Sequence, residues 1–198
     1  LAAVRSERVL DRHPAGQVAV VTATGDIRDG SASPGAIGAD TLSAVLEDVR
    51  HDEDVKAVVL RIDSPGGSVL ASELIRQRVA ALREAGKPVV ASFSSVASSG
   101  GYYIATAADE IWAEPTTITG SIGVIAIVPT FAGLLGKVGV GFDGVATSKL
   151  AEAARLDREL SPELRELLQL GVDQQYRHFL QLVAESRGKT VEQAHELA

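Results

Sequence analysis

A serine within a run of very small residues is the strongest candidate for chemistry in this sequence. Ser99 follows the apolar stretch 88–93 and a series of serines and alanines, and Gly100 and Gly101 come directly after it. The pattern predicts that a strand gives way to a helix near Ser99. Backbone N–H groups at a helix start lack intrahelical partners and can stabilise a developing negative charge. Such a serine suits nucleophilic attack; the alternative is a turn that only permits tight packing.

A nucleophilic serine needs a general base, and the sequence offers two residue types for that role. Histidine is the usual base, but none of the four histidines lies in a Gly/Ser-rich turn: His13, His51, His178 and His195. Lysine is the alternative when burial or a neighbouring cation lowers its pKa. Apart from Lys149, the lysines lie at expected helix or strand ends, where a solvated charge is the ordinary outcome: Lys56, Lys87, Lys137 and Lys189. The sequence therefore disfavours a Ser-His-Asp triad.

The composition excludes several classes of protein. With 198 residues, 45% hydrophobic and 23% charged, the chain can form one large domain or two small ones. A net charge of -7 without a basic cluster disfavours a nucleic-acid partner. No cysteine is present, which excludes disulfides, thiolate metal sites and cysteine nucleophiles. The uncharged stretches 88–108 and 115–136 are long enough to span a bilayer, but Ser, Thr, Gly and Pro interrupt them. They favour a buried strand followed by a core helix.

Apolar periodicity predicts an α/β protein in which strands alternate with helices and pair mostly in parallel. The predicted strands are 17–23, 56–62, 88–93, 110–113, 119–128 and 140–147, of which 56–62 is expected to be buried on both faces. The predicted helices are 41–49, 69–85, one after Ser99, 129–137, 161–187 and 190–197. Residues 1–16 are expected to be a lead-in from an upstream region, and 17–198 a single domain.

Three short motifs sharpen this interpretation. Residues 62–68 (IDSPGGS), 97–103 (ASSGGYY) and 119–124 (TGSIGV) resemble the signal peptide peptidase A (protease IV) family of serine peptidases, which use a Ser/Lys dyad. Each motif alone is weak, but the three in this order are specific. The S-P-G-G turn also resembles that of the Clp protease proteolytic subunit. The resemblance implies the ClpP/crotonase fold, a superhelix of ββα units, here with C-terminal helices.

The resemblance also assigns roles to individual residues. Ser99, directly before Gly-Gly-Tyr, matches the nucleophile, and Ser98 is its competitor by chemistry alone. The backbone N–H groups of Gly67 and Gly100 would form the oxyanion hole. Two residues of the same turn are expected to contact the substrate: Ser64 and Gly66. No cofactor or metal is implied.

The general base is where this sequence departs from part of the family. In the short form of the family, serine and lysine lie in one domain. In the long form, two homologous halves occur in tandem, with the serine in the C-terminal half and the lysine in the N-terminal half. Residues 142–152 (FDGVATSKLAE) resemble the C-terminal half of the long form. Lys149 lies near the short-form position, but outside its motif and beside the charged stretch 150–158. We therefore expect the base to come from an absent N-terminal half, with Lys149 as the alternative.

The resemblance predicts the nucleophile-bearing half of a serine endopeptidase that degrades cleaved signal peptides and other apolar peptides. It implies a bacterial cell membrane location with the catalytic domain on the extracytoplasmic (periplasmic) side, an anchor outside this chain, and a homo-oligomer. One alternative is an inactive homologue that acts as an assembly or binding module. Another is a crotonase-type acyl-CoA enzyme, in which the paired amides polarise a thioester and Ser99 has no nucleophilic role. That enzyme would need a basic site for the adenine nucleotide, which the sequence does not show.

Overall fold

The computed structural model of the chain describes residues 16–141, 143–145, 147–148, 155 and 157–198. The chain divides into two compact units, one that extends to Gly123 and includes Phe179–Ala198, and one formed by Val124–His178. All but one residue of the expected lead-in lie outside the described part. The single domain over 17–198 stays a prediction.

The first unit alternates strands and helices, as predicted. Its elements in chain order are β1 (Gln17–Thr24), β2 (Asp26–Arg28), β3 (Ala36–Gly38), α1 (Ala39–His51), β4 (Val55–Ser64), α2 (Val69–Glu84), β5 (Val89–Ser98), α3 (Gly100–Ala105), β6 (Glu110–Trp112) and β7 (Ile118–Gly120). The second unit contains α4 (Ala132–Lys137) and the start of α5 (Pro162–Arg187), whose last part returns to the first unit. The chain continues into α6 (Val191–Glu196).

The main sheet brings the ends of β4, β5 and β7 together. Its order is β1-β4-β5-β6, and β7 pairs with the last part of β5. All of these pairings are parallel, so the carboxyl ends of the strands lie at one edge of the sheet. A second parallel pair, β2 and β3, lies beside that edge and is linked to it by a bridge between Ile27 and Gly67.

The core of the first unit lies between one face of the sheet and the helices. Apolar side chains of the strands and of α2 are fully buried there: Leu60, Ile62, Ile75, Val79 and Leu82. The opposite face is partly open, so the expectation that residues 56–62 are buried on both faces is wrong. Arg61 is exposed on that face, and its guanidinium donates hydrogen bonds to the hydroxyls of Ser92 and Ser94.

Side-chain caps begin three of the helices. The Ser68 hydroxyl accepts a hydrogen bond from the Ala71 N–H in α2. Two helix starts predicted from the sequence are confirmed: the Ser161 hydroxyl accepts from the N–H of Leu164, and Thr190 forms a capping box with Gln193. Each cap pairs a backbone donor that the helix itself leaves free.

Four predicted elements differ from the structure. β5 does not end at residue 93 but continues to Ser98. The strand predicted over 119–128 is reduced to Ile118–Gly120, and the helix predicted from 129 begins at Ala132. The described residues of 140–147 form no strand.

Only one of the two uncharged stretches folds as a buried strand and core helix. β5 and the buried α3 account for the first stretch. The second contains β7, irregular chain and the exposed helix α4. Within the described residues, no helix combines the length and the apolar character needed to cross a membrane.

Candidate active site

Ser99 occupies the junction between β5 and α3. It is the N-cap of α3, with φ 50° and ψ -119°, a conformation that a non-glycine residue rarely adopts. Its N–H donates a hydrogen bond to the carbonyl of Gly120, and its carbonyl accepts one from the N–H of Tyr103, both 2.8 Å. The side chain is half-buried, and its hydroxyl has no hydrogen-bond partner among the described residues. Backbone strain at such a turn costs about 1–3 kcal/mol and is commonly retained where it serves function.

The neighbouring serine is in a different state. Ser98 is only 8% exposed, and its hydroxyl donates a 3.1 Å hydrogen bond to the carbonyl of Pro65. The two adjacent serines therefore differ in availability, because one hydroxyl is engaged in the fold and the other is free to react. This difference favours Ser99 over Ser98 as the nucleophile.

The turn between β4 and α2 is held on both sides of Gly67. The Ile27 N–H donates to the carbonyl of Gly66, and the Ser68 N–H donates to the carbonyl of Ile27. Gly67 lies between these two bonds with φ 152° and is exposed. Its own N–H makes no hydrogen bond within the described chain, and the same holds for the N–H of Gly100. Both amides are free to bind an oxygen that acquires negative charge.

The turn and Ser99 are in direct contact. A Cβ on Gly66 would lie 2.8 Å from the Cβ of Ser99 and 2.7 Å from the backbone nitrogen of Gly100. A Cβ on Gly100 would lie 3.2 Å from the nitrogen of Gly67. The glycines therefore allow the two backbone segments to approach so closely that both free amides lie next to Ser99.

Ser64 and Gly66 shape this turn from within. Ser64 is completely buried, and its hydroxyl accepts a 3.1 Å hydrogen bond from the Gly66 N–H. Gly66 is also buried, and Ile27 engages its carbonyl. Because these polar groups are inaccessible and already paired, the geometry does not support the substrate contacts expected for the two residues. We infer that Ser64 and Gly66 stabilise the conformation of the turn.

No described lysine is hydrogen-bonded to the Ser99 hydroxyl. Lys149, the alternative base expected from the sequence, lies outside the described residues. Lys87 has the property that a general base needs, because burial lowers its pKa. Its ammonium, however, donates to the carbonyls of Val49 and Asp52, each at 2.6 Å. Lys87 precedes β5 while Ser99 follows it, and a strand of that length separates them by roughly 30 Å.

The remaining candidates for a base are not brought to Ser99 either. The Lys56 ammonium donates to the carbonyl of Glu53. His51 contacts the carbonyl of Glu47 at the end of α1. His178 belongs to the second unit, and His195 lies in α6. His13 lies outside the described residues. No group of three or more acidic or histidine side chains in the described ranges could hold a metal ion.

The sequence did not predict how β7 supports Ser99, the candidate nucleophile. β7 pairs with Val96–Ser98, and the Thr119 hydroxyl donates to the carbonyl of Ala97 at 2.7 Å. Ser121, with φ 49°, is the second non-glycine residue with a positive φ in the described chain. The motif at 119–124 contains these residues, but the hydrogen bond from the Ser99 N–H to the Gly120 carbonyl could be seen only in the fold.

Comparison with known proteins decides the family. The model of peptidase family S49 matches residues 81–198, more than half of the sequence. The chain belongs to peptidase family S49. It is 48% identical to Protease 4 of Salmonella typhi over 92% of its own length and 41% identical to the chloroplastic serine protease SPPA of Arabidopsis thaliana, also over 92%. It spans only 29% and 28% of those two relatives. The resemblance inferred from the three motifs is confirmed.

The S49 chain also has the predicted fold class. A mutant ClpP1 from Listeria monocytogenes matches the structure with a TM-score of 0.55, covering 89% of this chain and 77% of that one. The two are 16% identical in sequence, so this likeness concerns the fold. The α/β, ClpP-like architecture predicted from the sequence is confirmed.

Proposed function

We propose that this chain is the nucleophile-bearing half of a serine peptidase. One observation carries the proposal: an unpaired Ser99 hydroxyl stands at a strained strand-to-helix turn, beside the two free backbone amides of Gly67 and Gly100. Acyl transfer needs this combination of an accessible oxygen nucleophile and donors aimed at an oxyanion. Membership of family S49 supports the same class of reaction.

In the proposed reaction, the Ser99 Oγ attacks the carbonyl carbon of a peptide bond while its proton passes to a general base. The carbonyl oxygen becomes an oxyanion that accepts hydrogen bonds from the N–H groups of Gly67 and Gly100. When the tetrahedral intermediate collapses, the C–N bond breaks and the base gives its proton to the leaving amine. Water then hydrolyses the acyl-enzyme by the same steps, and the Ser99 hydroxyl is restored.

The base in this proposal is a lysine from a homologous N-terminal half of a longer polypeptide. Two observations support it. The described residues bring no lysine ammonium to the Ser99 hydroxyl, and the chain spans less than a third of the Protease 4 that it resembles. Lys149 is the alternative base within this chain.

The proposed substrates are cleaved signal peptides and other apolar peptides. Support comes from the resemblance of the three motifs to the signal peptide peptidase A family. Signal peptides have an apolar core and belong to exported proteins, so the proposal places the full-length protein at the extracytoplasmic side of a bacterial membrane. We further propose that it forms a homo-oligomer, as the family resemblance implies. Its anchor would lie outside this chain.

A fluorophosphonate probe tests the proposal on the full-length protein. The probe should attach covalently to Ser99, as located by mass spectrometry, and Ser99→Ala should abolish both labelling and hydrolysis of an apolar peptide. Loss of a nucleophile lowers kcat by on the order of a million-fold. Ser98→Ala is the matched control and should keep labelling and hydrolysis. Attachment to Ser98 would overturn the assignment, and binding of coenzyme A without labelling would favour the acyl-CoA alternative.

A further inference from the structure

A buried hydrogen bond connects α3 to α2 behind the candidate nucleophile. The Tyr103 hydroxyl donates to the Glu73 carboxylate at 2.8 Å, and Tyr103 is only 3% exposed. The ring of Tyr103 packs against Phe179 of α5 with centroids 4.8 Å apart. All three residues belong to the first unit. The reaction proposed above assigns no role to this contact.

The Tyr103 end of the contact is fixed to the nucleophile. Tyr103 lies one helical turn after Ser99, and its N–H donates to the Ser99 carbonyl at 2.8 Å. α3 has only six residues, and a helix so short is not stable without tertiary contacts. The orientation of Ser99, with its positive φ, therefore depends on what holds the rest of α3 in place.

The Glu73 end of the contact is fixed to the oxyanion turn. Glu73 lies in the second turn of α2, the helix that begins after Gly67 and the capping residue Ser68. Two side chains of α2 hold its carboxylate: Arg76 at 2.7 Å and Gln77 at 2.8 Å. Burial alone would raise the pKa of Glu73, but hydrogen bonds from Arg76, Gln77 and Tyr103 outweigh it and lower this pKa to about 2. The acceptor is therefore charged at neutral pH, which strengthens the bond.

The contacts nearer the site offer little interlocking between α2 and α3. Where α3 approaches α2 and β4, it presents glycines: a Cβ on Gly100 would lie 2.5 Å from the hydroxyl of Ser72, and one on Gly101 would lie 2.8 Å from the carbonyl of Ser64. Glycines permit close approach but provide no side chain to prevent sliding. The Tyr103–Glu73 bond supplies a directional link between the same two helices.

We infer that Tyr103 and Glu73 are a positioning pair that fixes the Ser99 Oγ relative to the Gly67 amide. The inference rests on the proposed peptidase function and adds two residues that touch neither substrate nor reacting atoms. A displacement of about 1 Å at a reacting centre can lower the rate roughly a hundredfold. The pair should therefore influence the chemical step more than substrate binding.

Tyr103→Phe in the full-length protein tests the inference. The substitution removes the hydroxyl but keeps the ring against Phe179. We expect kcat to fall about ten- to a hundredfold, while KM stays within about twofold. The first-order rate of fluorophosphonate attachment, measured at saturating probe, should fall by the same factor as kcat. The fraction of molecules labelled at the end of the reaction should equal that of the wild type. If the pair only stabilised the fold, this fraction would fall, because fewer molecules would be folded.

Tyr102→Phe is the matched control. Tyr102 is the adjacent residue and is buried to a similar extent. Its ring forms a T-shaped pair with that of Phe93, but its hydroxyl has no hydrogen-bond partner among the described residues. This variant should keep the wild-type kcat. A wild-type kcat in Tyr103→Phe, or a loss explained entirely by fewer labelled molecules, would overturn the inference while Ser99→Ala stays inactive. Full hydrolysis by Ser99→Ala would instead overturn the proposed function and the inference with it.

Discussion

The hydroxyl of Ser98 and the carbonyl of Pro65 form a 3.1 Å hydrogen bond that ties the end of β5 to the turn after β4. This bond explains why the hydroxyl of Ser98 is engaged in the fold while that of the adjacent Ser99 is free within the described chain. β5 directs Ser98 into the fold, whereas the positive φ of Ser99 turns the next side chain away from the strand.

Ser98→Ala should lower stability while leaving Ser99, the proposed nucleophile, intact. The substitution removes the donor and leaves the Pro65 carbonyl without this partner, which costs about 1 kcal/mol. The expected result is a lower denaturant midpoint in equilibrium unfolding, together with unchanged attachment of fluorophosphonate to Ser99. An unchanged midpoint would mean that the bond contributes nothing to the fold.

Gly67 cannot be replaced without disturbing the turn itself. A Cβ at this position would lie 2.0 Å from the carbonyl oxygen of Ile27, and the φ of 152° is unfavourable for other residues. Gly67→Ala should therefore lower the free energy of unfolding by roughly 3–4 kcal/mol, a large effect for one methyl group. Gly67→Val would add a larger side chain at the same place and should lower stability as well as activity.

Gly86→Ala is the matched control for Gly67→Ala. Gly86 also has a positive φ, of 79°, but a Cβ there would meet no atom within 4 Å. Gly86→Ala should lower the free energy of unfolding only by the strain of a positive φ in a residue with a Cβ, about 1–2 kcal/mol. Chemical denaturation of both variants measures the difference. Equal losses would show that the Ile27 carbonyl moves aside at no cost.

Acid should weaken the fold through Glu73. The folded-state pKa of about 2 is lower than the ordinary value of 4.5. The stabilisation from this carboxylate is therefore fully present above about pH 4.5 and is lost as the pH falls towards 2. Glu73→Gln should be less stable than wild type at neutral pH and should lose less further stability over this interval.

Denaturant midpoints between pH 7 and pH 3 measure this effect. Glu84→Gln is the control, because Glu84 is exposed on the same helix and has no hydrogen-bond partner within the described residues. It should keep the pH dependence of the wild type. A Glu73→Gln variant whose midpoints run parallel to the wild-type curve would contradict the prediction.

The strands predicted from the sequence match the structure where residues with high strand propensity also pair in the sheet. They differ where propensity and pairing disagree. Of the five residues after Phe93 in β5, three are serines and one is alanine, which have low strand propensity. The segment nevertheless pairs with β7 and, after a register shift, with the end of β4. Tertiary pairing overrides propensity there. Ile125 and Ile127 show the reverse case. Isoleucine has high strand propensity, but these two side chains are 86% and 85% exposed and no strand forms.

The candidate site was predictable only in so far as its residues lie in short motifs. Ser99, Gly67 and Gly100 are marked by glycine and serine spacing, which reflects the close approach of two backbones. The Tyr103–Glu73 bond joins residues 30 positions apart, and neither residue type nor spacing indicates that they meet. Such a contact depends on the packing of α2 against α3.

The location of the general base gives the last prediction. Purified alone, this chain should hydrolyse an apolar peptide ester only weakly, because no lysine within its described residues is hydrogen-bonded to the Ser99 hydroxyl. The full-length protein should be active, and kcat/KM should rise with pH through the lowered pKa of a lysine, since a base acts only when deprotonated. Lys149→Ala in the full-length protein should change neither the rate nor this pH profile. Strong activity of the isolated chain that disappears in Lys149→Ala would show instead that Ser99 and Lys149 form a self-contained dyad.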